Sequence, residues 1–398
     1  MKSEFYAGMK GIIKLFTIDI PGNRIYGLDV LRAIAIIYVV FLHGISILPT
    51  YLTVIQILLN IDGVSFFFGL SGFLIGGILI KILQKEQPSV PALFRFWKKR
   101  WLRTVPNYFL VLVILCVHAS IVDKNFSLWN VKEYFFFLQN FNTPVPDFYA
   151  ISWSLTVEEW FYLIIPSTIF ILTGVGKIPV SKAILVSAIS IIVLIIFTRY
   201  CRYIQYPPDS GAEWDAYFRR QVVTRLDSLI FGVIGAYISF YHQDLWLRYK
   251  KQAFICGVLL ILFVKLIEIF NVFSISSIYM SVFSFTVLEL GTMFLLPLLS
   301  QIKTGKGLLY RVITYISISS YSIYLFHYHI IRHWIIDNMD LTGFTGTPLV
   351  ILKYAAYWML TITLSLLIYK YFEKPIMDLR NIKGMPGVKN ELTINIQK

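Results

Sequence analysis

An arginine and a histidine, Arg32 and His43, stand eleven positions apart in an apolar run that opens Tyr26-Gly-Leu-Asp-Val-Leu-Arg. At about 100° per residue their directions differ by only about 20°, so a helix sets both on one face. Along its axis they are about 16 Å apart. That is too far for a hydrogen bond, but it suits contact with two ends of one elongated ligand. A guanidinium fork matches anionic oxygens. An imidazole can take a proton or attack a carbonyl carbon. Asp29 is the third ionisable residue of the run. On a purely structural account, Arg32 reaches to the membrane interface and His43 hydrogen-bonds in the core. Ionisable groups inside a span are costly and default to function, and two on one face favour a shared ligand.

Other segments offer further chemistry. Phe94-Arg-Phe-Trp-Lys-Lys-Arg-Trp-Leu-Arg-Thr-Val-Pro106 sets five positive charges beside aromatic rings. It reads as a cytoplasmic loop, either orienting the chain and touching headgroups or binding phosphate. Arg100 and Arg103 are three apart and can face one way on a helix. Ile151-Ser-Trp-Ser-Leu-Thr-Val-Glu-Glu brings two carboxylates, Glu158 and Glu159, into an apolar span. One can face water, and one facing the bundle can orient a histidine or assist proton transfer. His329 and His333 have a spacing that metals use, but no acid-rich partner segment accompanies them, so no metal site is expected. Gly72 and Gly76 permit close helix contact. Ser71 lacks the closing glycine and the strand of a nucleophile elbow. His118 and Asp123 form an isolated HxxxxD spacing, read as coincidence.

These residues must be positioned by membrane helices. Of 398 residues, 57% are apolar and 15% charged, whereas soluble domains sit nearer a quarter charged. The expected fold is an all-α polytopic bundle of about ten transmembrane helices. They fall near 26–48, 61–83, 105–122, 152–174, 180–199, 222–241, 252–270, 276–300, 312–333 and 347–371. Residues 51–60 are apolar but short, and suit the interface. The net charge of +14 lies in short segments between apolar runs, as membrane orientation requires, so nucleic acid is not expected as a partner. The three cysteines, Cys116, Cys201 and Cys256, have no zinc or disulfide spacing. Lysine and arginine bias places both termini in the cytoplasm. Segment 200–221 breaks the bias with its arginines, which marks either an anionic ligand outside or a misplaced boundary. The expected organisation is a cytoplasmic segment 1–25, a membrane domain 26–375 and a cytoplasmic tail 376–398, with no appended soluble domain.

Taken together, the segments resemble acyltransferase family 3, from Tyr26 to about Pro375. Arg32 and His43 match its basic-residue, ten-residue, histidine hallmark. Ser71-Gly-Phe-Leu, Arg100-Trp-Leu-Arg-Thr-Val-Pro106, Trp153-Ser-Leu-Thr-Val-Glu-Glu and Arg225-Leu-Asp-Ser-Leu match successive blocks. Ser320-Tyr-Ser-Ile-Tyr-Leu-Phe-His327 and Glu373-Lys-Pro match the closing ones. The shared order carries the resemblance.

The resemblance implies a multi-pass enzyme of the cytoplasmic (inner) membrane. It would move an acyl group, typically acetyl, from acyl-CoA to a hydroxyl of a surface polysaccharide or lipid-linked sugar. The lipid bilayer is its other partner, and no bound cofactor is implied. On that reading Arg32, Arg100 and Arg103 hold the donor phosphates. His43 is the base or nucleophile, oriented by Glu158 or Glu159. Asp29, Ser71, Trp153, Arg225, Tyr324 and His327 meet the acceptor. The alternative is a transporter of a small molecule or glycan that uses the intramembrane Arg, His and Glu as a coupling relay.

Overall fold

The computed structural model describes residues 15–22, 24–49, 62–340, 343 and 346–379. Segment 51–60 and most of both terminal segments lie outside the described residues. Ten long helices follow in order: α1 (Tyr26–Gly44), α2 (Gly63–Lys85), α3 (Val90–Val122), α4 (Trp153–Gly174), α5 (Val180–Gln205), α6 (Asp227–Tyr241), α7 (Lys250–Ile269), α8 (Ser284–Leu299), α9 (Gly307–Phe326) and α10 (Gly346–Ile368). Among the described residues there is no strand. Among the described residues nine helical stretches are long and apolar enough to cross a bilayer. The exception is α9, whose Thr314, Ser317, Ser319, Ser320 and Ser322 lower its hydropathy. All five are buried in protein, which is how a polar helix persists where lipid offers no hydrogen bonds.

The expected loop before Pro106 is instead helix. Ser89 caps α3 by accepting from the Ala92 N–H at 3.4 Å, and the helix runs 33 residues through Pro106. At 1.5 Å per residue it is about 50 Å long, well beyond a hydrocarbon core of about 30 Å. Its basic first half therefore extends the span. The loop reading failed because the basic residues break the apolar run without breaking helix propensity.

The chain forms two compact units. One comprises 1–60, 101–111 and 302–398, the other 61–100 and 112–301. In the first, α1 has no side-chain cap. The carbonyls of Lys303 and Ile302 accept from the N–H groups of Tyr26 and Gly27 at 3.2 and 2.9 Å. Residues 15–22 dock on α9, where Ile18 packs with Ile318 and Tyr369 and its N–H donates to the Tyr315 hydroxyl at 3.1 Å.

In the second unit, α5 shows how the spans are partitioned. Ser187, Ile191, Ile195 and Arg199, each four apart, are buried on one face, while Val186, Ile189, Val193 and Phe197 are exposed for lipid. Helices α2 and α6 meet at glycines. A Cβ on Gly72 would lie 1.8 Å from the Leu229 carbonyl oxygen, and one on Gly232 would lie 2.1 Å from that of Gly69. This close approach is the purpose of Gly72 and Gly76.

Gly72→Ala should therefore force α2 and α6 apart, at the roughly 1–3 kcal/mol typical of overpacking. A lower thermal unfolding midpoint of the detergent-purified protein checks this. Gly77→Ala, whose Cβ would meet nothing nearer than Phe240 at 3.9 Å, should leave the midpoint unchanged.

Candidate active site

In the first unit, the last turn of α1 presents His43, half-buried, to His327. His327 is fully buried and begins a wide-turn segment, His327–Ile336, that continues α9. Such turns concentrate at functional sites. The Nδ1 of His43 is 2.7 Å from the Nε2 of His327. The two rings meet edge to edge and nearly coplanar, with centroids 5.0 Å apart and planes 17° apart. The Nδ1 of His327 faces two carbonyl oxygens, Ile323 at 3.0 Å and Tyr324 at 2.8 Å. The ring of Tyr328 lies 4.8 Å from that of His43. Tyr357 on α10 donates its hydroxyl to the Val40 carbonyl at 3.0 Å, and Arg332 donates to Ser46 at 3.1 Å. Both bonds hold the end of α1 that carries His43.

At the other end of α1, Asp29 is buried. Its carboxylate accepts from Arg24 Nε at 2.9 Å and from the Ser317 hydroxyl at 2.7 Å. One turn on, Arg32 is half-buried. In the same unit the buried Glu373 accepts from the hydroxyl of Ser322 at 2.6 Å and from the amide of Asn107 at 3.2 Å. Three helices are thereby tied together, because Asn107 sits on α3, Ser322 on α9 and Glu373 just beyond α10. The charge of Arg103 acts on the same carboxylate.

In the second unit, Glu158 accepts from the hydroxyls of Ser71 at 3.1 Å and Tyr162 at 2.9 Å. Its neighbour Glu159 is buried. Trp153 is buried between the Phe68 ring, edge-on at 6.0 Å, and the Arg219 guanidinium, 5.0 Å from its centroid. Arg225 is fully buried and donates to Glu289 at 3.2 Å and Ser65 at 2.9 Å. Arg199 pairs with Asp227 at 2.5 Å, both buried. Just ahead of α2, Asp62 accepts from Arg219 at 3.2 Å. Burial would raise the Asp62 carboxyl, but the charges of Arg219 and Arg225 hold it below the 3.8 of an ordinary aspartate. Those acids in turn push the Arg219 guanidinium up against its own burial.

The arginines of 200–221 thus serve the protein itself. Arg219 and Arg220 pair with Asp215, and Arg202 donates to Asn142, Gln221 and the Tyr217 carbonyl.

The structure joins His43 to His327 and Ser71 to Glu158. It gives Asp29 and Arg225 partners of the protein's own in place of open ones. Tyr324 is buried with its ring 5.9 Å from that of His327. Arg100 and Arg103 lie on α3. The rings of His329 and His333 are 6.3 Å apart, and His333 meets Asp337 at 3.0 Å. Among the described residues no group of three or more His, Cys, Asp or Glu is placed to hold a metal.

Sequence reading missed Asp62, Asp227, Glu289, Asn107 and Tyr162. For Glu289 the signal was present, a lone carboxylate inside an apolar run.

The described residues thus make an all-α polytopic membrane protein with a paired imidazole and buried Arg–carboxylate pairs on its spans. Residues 25–370 match the acyltransferase domain family, and the chain belongs to that family, acyltransferase family 3. It is 26% identical over 373 residues to the O-acetyltransferase OatA of Staphylococcus aureus, covering 88% of this chain and 57% of that protein. It is 30% identical over 167 residues to the peptidoglycan O-acetyltransferase OatA of Listeria monocytogenes, covering 36% of this chain and 24% of that protein. A putative O-acetyltransferase of Staphylococcus aureus is 25% identical over 373 residues, covering 88% of this chain and 56% of that protein. The chain thus spans less than two thirds of the length of these relatives. No solved structure matches.

Because the folded pKa of Asp62 lies below its unfolded value, its stabilisation is present above about pH 3.8 and is lost as pH falls through the lower folded value. Asp62→Asn should lower the thermal midpoint near neutral pH. The gap from the wild type should close on acidification below 3.8, as thermal scans across pH would show.

Proposed function

We propose that this chain O-acylates a hydroxyl of a cell-surface polymer or lipid-linked sugar, taking an acyl group, acetyl by preference, from acyl-CoA. Its place is the cytoplasmic membrane, with both termini in the cytoplasm, a side supported by the lysine and arginine bias. The names of the curated relatives support acetyl as the group and a wall polymer as the acceptor class.

One observation carries the reading. A half-buried histidine ends α1, hydrogen-bonded through one ring nitrogen, on the helix face that also bears Arg32. The reacting role is assigned to the Nε2 of that histidine. Arg32, with Arg103 of the same unit, receives the donor phosphates near the cytoplasmic side, guanidinium forks being suited to them. The pantetheine arm follows α1 and delivers the thioester to His43. His43 takes the proton of the acceptor hydroxyl, whose oxygen attacks the thioester carbonyl. The C–S bond breaks, and the coenzyme thiolate recovers the proton from His43. Asp29 and Arg225, engaged by the protein's own groups, hold helices in place rather than substrate. Glu158, with Ser71 and Tyr162, forms a separate polar cluster within its own unit.

Mass spectrometry of surface glycans from cells with and without the protein should show a lost ester mass. His43→Ala at wild-type abundance should abolish that ester while leaving donor binding intact, and substantial turnover by this variant would overturn the assignment. Arg32→Ala should raise the acyl-CoA KM about tenfold or more, the loss of one or two charge-assisted hydrogen bonds. An unchanged donor dependence would remove Arg32 from that role.

A further inference from the structure

His327 faces His43 with one nitrogen and two backbone carbonyls with the other. A carbonyl oxygen accepts and never donates, so the Nδ1 of His327 must carry a hydrogen. The ring is fully buried, and its hydrogen-bond partners are two carbonyls and another imidazole. A charged ring there would have no countercharge among those partners, and burying an unpaired charge is costly. The ring is therefore the neutral Nδ1–H tautomer, and its Nε2 bears a lone pair. At 2.7 Å from that lone pair, the Nδ1 of His43 must be the donor.

The geometry points to His327 as a positioning residue that fixes the tautomer of His43, with the hydrogen on Nδ1 and the reactive lone pair on Nε2. This rests on the reading of His43 as the base. The bond survives the reaction: when Nε2 of His43 takes the acceptor's proton, its Nδ1–H still donates to His327 and more strongly, because a charged donor makes the shorter bond. The proton cannot go further, since His327 Nδ1 already holds a hydrogen and its two neighbours are carbonyls. It must leave by Nε2, the atom through which it came, and the departing thiolate is there to take it. No net proton is consumed: thioester and alcohol give ester and thiol.

The wide turn that begins at His327 makes this possible. It seats the ring at the junction of α9 and its continuation, where the Ile323 and Tyr324 carbonyls are within reach of a side chain. Tyr324 thereby contributes through its backbone, whatever its own side chain does.

The test is a set of variants assayed for acyl transfer from acetyl-CoA in membranes at matched abundance, with acetyl-CoA binding measured alongside to report folding. His327→Phe keeps the buried ring and removes the acceptor. It should lower kcat about a hundredfold or more, the scale of lost base catalysis, with acetyl-CoA KM changed by less than about threefold. His327→Gln carries a carbonyl oxygen where Nε2 stood and should recover activity to within about tenfold of the wild type. In a His43→Ala background His327→Phe should have no further effect, because residues acting through one another are non-additive.

Overturning results are distinct. A His327→Phe enzyme with near wild-type kcat, beside an inactive His43→Ala, would refute the positioning role alone. So would a glutamine variant no better than phenylalanine, or a further loss in the double variant. An active His43→Ala would instead refute the reading of His43 on which the role rests.

Discussion

A hydrocarbon core offers no water, so each polar group carried into it must find its partner in the protein. That constraint decides which helices can bear chemistry. Arg199 reaches Asp227 and Arg225 reaches Glu289, each pair buried from end to end. Glu373 is met by a serine and an asparagine from two other helices. Removing one member of such a pair leaves a charge or lone pair stranded, which costs far more than the intact pair contributes. These residues therefore specify which helices may neighbour one another. Leucine and valine facing lipid on α5 and α7 cannot do so, since they are as content with an acyl chain as with another helix. Glycines complete the arrangement. At Gly72 and Gly232 the backbones come too close for any side chain, so α2 and α6 have one crossing available.

The same constraint explains why a neutral imidazole suits the Nδ1 of His43. A carboxylate would bring a full negative charge to be balanced in low dielectric. His327 brings an acceptor of the same directionality without a charge, and its own hydrogen is absorbed by carbonyls of its helix. This arrangement also separates an acyltransferase from a proton-coupled transporter. A coupling relay needs a donor and an acceptor at every step through the bundle. The His43–His327 pair ends in two carbonyls, so it can lend a proton but cannot pass one on.

Much of this could be read from residue order. The apolar runs gave the spans, and the eleven-residue interval put Arg32 and His43 on one face because both periods belong to a single helix. Some of what escaped depends on contacts distant in sequence, and the rest on how charge was weighed. His327 lies 284 residues from His43, and nothing local marks it as that residue's partner. Asp29 and Arg225 sat in matching motifs and read as substrate contacts, yet Ser317 and Glu289 hold them. The basic stretch of α3 was read as a loop because charge density was weighed over helix propensity. Lysine, arginine and tryptophan are all acceptable in a helix. In 200–221, which broke the topology rule, Asp62 and Asp215 meet Arg219 and Arg220 and offset part of their orienting charge.

If acyl-CoA is the donor, as proposed, its chemistry accounts for the spacing along α1. The phosphates of acyl-CoA carry several negative charges, and taking them to the bilayer centre would cost far more than any guanidinium could return. The pantetheine arm is thin, and its two amides are neutral, so it can be buried with only a few hydrogen bonds satisfied. An enzyme that must deliver an acyl group across part of a membrane therefore gains by leaving the charged end at the aqueous face and threading only the arm. Such an enzyme needs a cation near one end of a span and a base near the other, on one face and about 16 Å apart. Ten intervening residues on a helix provide that separation. An interval of eight or nine would keep much of the length but turn the two side chains well out of line, at about 100° per residue. On that proposal the interval is set jointly by the reach of the donor and the pitch of the helix.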